Sequence, residues 1–377
     1  MNNEIQSYKL LTASVCLFIL ASCTSSKISR GTDDKSGLNE SDFKTFEVKI
    51  EALRKKYHIP SLSVGIVSAK ELKWYRGFGY ADIENKVVPT QHTIYHLASV
   101  TKTFGSIILM QLVEEGKISL EDPVTKYDIQ LGARWGGDDR IKIKHLLTHT
   151  AQGNSLNLFR PGYSFRYNGD YYGQLSSAIE KSSGKTFAEL MVHNIIFPLH
   201  LEHTVPNLYD TTAFNLTGYN RPEITNLVAK PYDWVHKQII PIEYPRYFGP
   251  AAGLMSCVAD IAKYSVAIDD RRMLKGQTWE KVFTPAVSEK GKVFPYGLGW
   301  FVKNYDGVKV IWHTGWWTGN SALFVKIPEK DVTLIILANS QDLSRPFYPK
   351  INPLRPRLAK DLRKSAFGKA FLEMVKW

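Results

Sequence analysis

The chain has 377 residues, 44% hydrophobic, 22% charged and 12% aromatic, which excludes a disordered, collagen-like or coiled-coil protein. Lys and Arg number 48 against 36 Asp and Glu, and the resulting charge of +12 favours acidic surroundings such as envelope polymers, anionic lipid or nucleic acid. The two signs are interspersed, so a basic soluble surface accounts for the excess. Without a zinc-finger, basic-zipper or RNA-recognition signature, no nucleic acid partner is expected.

The first residues read as an export signal. Lys9 is a weak positive head, and Leu10 to Ala21 is apolar but shorter than the ~20 residues of a membrane span. The run ends in Leu20-Ala21-Ser22-Cys23, which resembles a bacterial lipobox. Cleavage before Cys23 and acylation of its thiol would anchor the mature chain to a membrane of the cell envelope. A plain secretory signal cut nearby is the alternative. Residues 1–22 are therefore read as signal, 23–42 as lipidated cysteine and polar tether, and 43–377 as the folded domain. Cys16 leaves with the signal and Cys23 carries lipid, so Cys257 has no partner for an intramolecular disulfide. It is expected to be a buried helix residue.

Phe43, Phe46, Ile50, Leu53 and Tyr57 recur at steps of three and four, predicting a helix capped at Ser41-Asp42 and closed by Pro60. Leu62, Val64 and Ile66 alternate with small residues as a strand does, Ala69-Lys70-Glu71 turns, and Leu72 to Tyr80 returns as the second arm of a hairpin. Ala98 to Glu115 is apolar on nearly all sides, which places that helix in the core, and Gly116 stops it. Residues 117–250 hold turns and short helices, including Leu175 to Glu180 and Phe187 to Ile196. Ser256 is a cap candidate for a helix over Val258 to Ile268. Strand patterns follow at Tyr296 to Val302, Val308 to Trp312, Ser321 to Ile327 and Val332 to Leu337, with turns at Asn304–Gly307 and Pro328–Asp331. Basic residues from Arg355 to Lys369, with Leu358, Leu362, Phe367 and Phe371, form an amphipathic closing helix. The predicted class is α/β of the α+β kind. Residues 43–116 and 251–377 share one antiparallel sheet flanked by helices, and 117–250 forms a mostly helical lobe.

Ser99-Val100-Thr101-Lys102 carries the chemical signal. On a helix, Ser99 and Lys102 lie on one face, and Ser99 sits where unpaired N–H groups stabilise negative charge. A serine hydroxyl needs a base to become a nucleophile, and a lysine held in apolar surroundings loses proton affinity and can serve. Ser-x-x-Lys alone is common as a helix cap followed by a surface lysine, but this helix is too apolar to offer Lys102 much solvent.

Leu97 to Phe104 resembles the nucleophile motif of the serine β-lactamase-related hydrolases, which include class C β-lactamases, D,D-peptidases, D-aminopeptidases and esterases. Glu114 to Val124, Ile143 to Thr150, Gly253 to Ser256 and Tyr296 to Trp300 are similar to further segments of that family, in the same order. The resemblance implies a β-lactamase/transpeptidase-like fold and an acyl-enzyme on Ser99. It assigns Tyr167, in Phe165-Arg166-Tyr167-Asn168-Gly169, as general base or proton relay. The family's usual pattern is Tyr-x-Asn, and Gly169 stands where that substrate-binding Asn is expected; Asn168 substitutes only if the loop register slips.

His313-Thr314-Gly315 stands where the family has Lys-Thr-Gly or His-x-Gly, and the resemblance implies an oxyanion hole from the N–H groups of Ser99 and Trp316. Gly315 lets the strand approach, and Trp317 joins Trp316 as a pocket aromatic. Tyr232, Trp234, Tyr244, Tyr247 and Phe248 are further candidates for an aromatic wall, though core packing is the commoner explanation for each. A neutral His313 holds a substrate carboxylate less firmly than Lys, so an esterase-like or D-Ala-peptidase-like activity is expected. The rival readings are a genuine class C β-lactamase and a catalytically weak cell-wall-binding protein. His145 and His149, four apart, lack the glutamate of a metalloprotease, and His200 and His203 are isolated, so no metal and no cofactor is expected. The expected partners are a small-molecule or peptidoglycan-like substrate and, through the lipid, a membrane; the expected state is a monomer.

Overall fold

The computed structural model describes residues 34–132, 137–152, 160–347 and 361–376. Cys23, the signal before it and the basic residues from Arg355 to Lys360 lie outside them. Ten strands are present among the described residues: β1 (Ser61–Ser68), β2 (Glu71–Gly79), β3 (Tyr95–His96), β4 (Tyr232–Val235), β5 (Gln238–Pro241), β6 (Met255–Ser256), β7 (Phe301–Tyr305), β8 (Val308–Trp317), β9 (Asn320–Ile327) and β10 (Val332–Ala338). Six of them make one sheet in the order β2-β1-β10-β9-β8-β7, antiparallel throughout. The first two strands of the chain thus join its last four, and the α+β class expected from the pattern is the class observed.

Strand alternation divides the sheet between two cores. Leu62, Val64, Leu323, Val325, Leu334 and Ile336 face a cluster closed by Phe46 and Ile50 of α1 (Glu40–Lys56) and by Phe367 and Phe371 of the C-terminal helix Ala366–Met374. Ala322, Phe324, Ile335 and Leu337 face the opposite cluster, which holds α2 (Thr101–Glu114) and the helix Val258–Asp269. Side chains that point to both faces are buried, so these strands lie within the molecule.

Several boundaries differ from the pattern for identifiable reasons. α1 is capped by Asn39, whose Oδ1 accepts from the N–H groups of Ser41 and Asp42, while Asp42 returns a bond to the Asn39 N–H. Ser256 lies in β6, and Cys257 takes the cap position of the following helix with no side-chain bond. Tyr296 to Trp300 is a tight loop, because Gly299 adopts a left-handed φ of +85° and packs onto α2. The β4–β5 hairpin escaped detection because its turn residues, His236 (φ +48°) and Lys237 (φ +67°), carry left-handed backbone without the usual glycine or asparagine. β8 runs on to Trp317, beyond the edge expected at Trp312.

One charge is buried between sheet and helix. Lys326 on β9 is 2% exposed; its Nζ donates to Ser265 Oγ (2.7 Å), Thr333 Oγ1 (3.0 Å) and Asp269 Oδ2 (2.8 Å). Burial lowers its pKa and the Asp269 carboxylate opposes that shift. Removing one member strands the other polar groups, so Lys326→Ala is expected to lose about 3 kcal/mol in urea unfolding. A loss below ~0.5 kcal/mol, the scale of a surface substitution, contradicts this reading.

Candidate active site

Ser99 lies in a single 3-10 turn, Ala98–Val100, that leads directly into α2. The turn is held from several sides. Leu97 N–H donates to Leu254 O (2.8 Å), Ala98 N–H donates to His96 Nδ1 (3.1 Å), and Thr101 Oγ1 donates to Ala98 O (2.7 Å). Ala98 itself has φ +47°, a left-handed conformation that L side chains avoid, immediately before the serine. Ser99 is half-buried, whereas Thr101 to Met110 are buried.

Lys102 follows one turn later and is 1% exposed. Its Nζ donates to Ser99 Oγ at 3.1 Å and to Ala251 O at 2.7 Å. It sits 5.2 Å from the Tyr167 ring centroid and 5.3 Å from that of Tyr172. Desolvation pulls its pKa from 10.5 down to about 7, with the Asp170 carboxylate opposing the shift. The amine therefore titrates near neutral pH while touching the serine oxygen.

Tyr167 also bonds Ser99, and burial pushes its pKa above the usual phenol value despite that bond. Its ring packs 4.1 Å from His149 and stacks 6.2 Å from Phe301. Of the pair, Lys102 is thus the group that can lose its proton at neutral pH, and Tyr167 is a neutral hydroxyl. Asn168 is used structurally: its Oδ1 caps the helix Gly169–Gly173 by accepting from Tyr171 N–H (3.1 Å), and its Nδ2 donates to Gln152 Oε1 (3.4 Å). A Cβ at Gly169 would lie 3.9 Å from Lys102 Nζ, so a side chain at 169, not 168, would reach over the amine.

β8 supplies the opposite wall. Val308 to Trp312 pairs with β7 and Ile311 to Trp317 with β9, so the segment from His313 to Trp317 has an edge without a β7 partner. That segment packs against the Ser99 turn: a Cβ on Gly315 would collide with Leu97 O and sit 3.2 Å from Ala98 Cβ. Trp316 follows Gly315 and is 45% exposed, while Trp317 stacks on Tyr247 (6.0 Å) and meets His96 edge-on (5.9 Å). The wider aromatic wall is not assembled. Trp234 stacks on His58 and Tyr244 on Tyr209, Phe248 packs tilted against Phe187, and Tyr232 donates to Glu84.

His313 is fully buried with both ring nitrogens engaged. A carbonyl only accepts, so Nδ1 donates to Thr314 O (2.8 Å), and Nε2 accepts from the Tyr296 hydroxyl (2.8 Å). Burial, then the nearby Lys102, lower its pKa to about 3. It is a neutral, orienting residue.

In the sequence His149 stands within the family-like segment Ile143 to Thr150 and as half of a possible zinc pair with His145, with no role of its own. The two make separate bonds: His145 Nδ1 accepts from Lys142 N–H (3.0 Å) and His149 Nδ1 from Asn168 N–H (3.2 Å). Arg166 N–H donates to His149 O (2.8 Å), so His149 holds the Tyr167 loop from both its ring and its backbone. Its left-handed φ of +53° and its burial were the only local signals, and neither is visible in sequence. His96, buried on β3, likewise carries no motif in the sequence.

Comparisons with known proteins give the family and the fold. A family model described as Beta-lactamase matches residues 46–350. The chain is 25% identical over 332 residues to Protein flp of Staphylococcus aureus (strain N315), covering 80% of this chain but 63% of that protein. It is 24% identical over 316 residues to Penicillin-binding protein 4* of Bacillus subtilis (strain 168), covering 72% and 66%. The fold matches the octameric penicillin-binding protein homologue from Pyrococcus abyssi with a TM-score of 0.70 at 24% identity, covering 88% of this chain and 77% of that one.

With an amine that deprotonates around pH 7, the free base fraction grows as pH rises. Labelling of Ser99 by an activated phosphonate should climb about tenfold per unit below pH 7 and level off above it. Lys102→Ala should slow labelling by ~100-fold or more, and Tyr167→Phe should also slow it. A labelling rate that falls steadily from pH 6 to pH 9 would exclude the amine as base.

Proposed function

The chain belongs to the Beta-lactamase family, and from that premise we propose that it is a serine hydrolase acting through an acyl-enzyme on an ester or a D-Ala-type amide. The observation that carries the reading is the buried Lys102 amine, donating to Ser99 Oγ at 3.1 Å and titrating at about 7. Neutral Lys102 takes the Ser99 proton as Oγ attacks the carbonyl carbon. Negative charge on the carbonyl oxygen is met by main-chain N–H groups of Ser99 and Trp316, donors typically worth ~3 kcal/mol each in such a site. The protonated amine, through the Tyr167 hydroxyl, returns the proton to the leaving alcohol or amine. Water then gives its proton to the same pair, attacks the acyl carbon and frees the acid, restoring Ser99.

The substrate preference rests on two departures from the family pattern. Gly169 offers no amide for a substrate carbonyl, and His313, neutral and doubly bonded, offers no charge for a substrate carboxylate. Both favour uncharged or weakly anchored acyl groups over β-lactams. The lipobox-like segment ending at Cys23 supports an envelope location with the lipid in a membrane, which metabolic labelling with a fatty-acid analogue in wild type and Cys23→Ala would test. No helix among the described residues is long and apolar enough to cross a membrane.

A panel of an activated ester, a D-Ala-D-Ala peptide and a chromogenic cephalosporin separates the readings. The ester should give a burst of one equivalent per chain, absent in Ser99→Ala, with negligible cephalosporin turnover. Fast cephalosporin hydrolysis would identify a β-lactamase. No covalent adduct by mass spectrometry with any of the three would leave only a binding protein.

A further inference from the structure

His92, His203 and Cys257 come from three separated segments, yet one ligand atom from each lies within 4.8 Å of the others. The two imidazole rings are 4.8 Å apart. Cys257 is a free, fully buried thiol where β6 meets the helix Val258–Asp269. Other groups fix the segments without using these ligand atoms. Ala259 N–H donates to Gln91 O (3.1 Å), His203 N–H to Asp260 Oδ2 (2.7 Å), and Thr204 Oγ1 to the same oxygen (2.8 Å).

His92 Nδ1 is buried with no hydrogen-bond partner, and Gln91 Nε2 lies 3.1 Å from His92 Nε2. An amide N–H donates, so as placed Nε2 accepts and Nδ1 carries the proton. Rotating the Gln91 amide by 180° brings Oε1 to the contact, moves the ring proton to Nε2 and frees the Nδ1 lone pair, the outer-shell arrangement of a metal-ligating histidine. Asp260 adds a second unmet group: it is 1% exposed, and its Oδ1 has no hydrogen bond, only Lys263 Nζ at 3.7 Å. A buried carboxylate beside the cluster lowers the cost of placing a cation there.

We propose that His92, His203 and Cys257 bind a thiophilic divalent cation, Zn²⁺ in the first instance, with a fourth position open to water. Binding replaces the Cys257 S–H bond by a thiolate–metal bond and releases one proton to solvent; both imidazoles bind as neutral ligands. Tetrahedral bonds of about 2.0–2.3 Å place ligand atoms roughly 3.5 Å apart, so closure needs about 1 Å of side-chain movement. Such a site staples the segment that leads through β3 to Ser99, the loop before Val205, and the helix packed on the sheet. The His200/His203 spacing concealed it, because the ligands pair across the fold and not along the chain.

The test is a titration of chelator-treated full-length protein with Co²⁺, followed by Zn²⁺ competition. One equivalent should produce a thiolate-to-cobalt charge-transfer band and tetrahedral visible bands. Cys257→Ser should abolish the charge-transfer band, and His92→Ala and His203→Ala should each weaken binding by at least about tenfold. Zn²⁺ should raise the Tm of the wild type and leave that of His92→Ala unmoved. His92 is half-buried, so its variant decides the matter even if Cys257→Ser fails to fold. No thiolate band at one equivalent, a band surviving Cys257→Ser, or undiminished affinity in both histidine variants overturns the proposal.

Discussion

The site depends on one costly placement, an amine carried on a helix with no polar face. Thr101 to Met110 of α2 are buried on every side, so Lys102 Nζ has little water. A charged ammonium there is penalised, and the measure of the penalty is a pKa near 7 in place of 10.5. Two hydrogen bonds, to Ser99 Oγ and Ala251 O, and two tyrosine faces replace solvent. The same burial that makes the helix a core element makes its lysine a base. Exposed on a surface helix, the same Ser-x-x-Lys spacing would leave the amine protonated and chemically idle.

Close approach does the rest. Gly299, in left-handed backbone, has no room for a side chain: a Cβ would sit 2.6 Å from Ser106 Cβ and 3.0 Å from Lys102 O. Tyr172 donates to that same Lys102 carbonyl at 3.1 Å, so the first turn of α2 is gripped from outside. Gly315 plays the corresponding part on β8, whose free edge meets the Ser99 turn only because no Cβ stands between. Three pieces of chain distant in sequence are brought to one hydroxyl by backbone that fits against backbone.

Much of this was legible in the residues. The alternation of Leu62, Val64 and Ile66 in β1, the apolar runs of β9 and β10 and the all-round apolarity of α2 each follow from burial, which the sequence records directly. Ser99, Lys102 and Tyr167 were legible through motif order. The losses were geometric. Nothing local marks His236-Lys237 as a hairpin turn, because two exposed non-glycine residues take the left-handed backbone that a two-residue hairpin requires. His149 reads as a stray histidine until the fold lays it under Tyr167. His92, His203 and Cys257 have no spacing that a motif could express, since 111 and 54 positions separate them (203 − 92 and 257 − 203).

The electrostatics of the site then follow from a single exchange. A lysine in place of His313 would bring a second cation beside Lys102, depressing the pKa of the first amine further and giving a substrate carboxylate a partner. The histidine does neither. Its Nδ1–H is spent on the Thr314 carbonyl and its Nε2 lone pair on the Tyr296 hydroxyl, so it contributes no net charge. The depression of Lys102 therefore comes from burial. With no fixed cation at position 313, the group beside Ser99 that changes charge near neutral pH is Lys102.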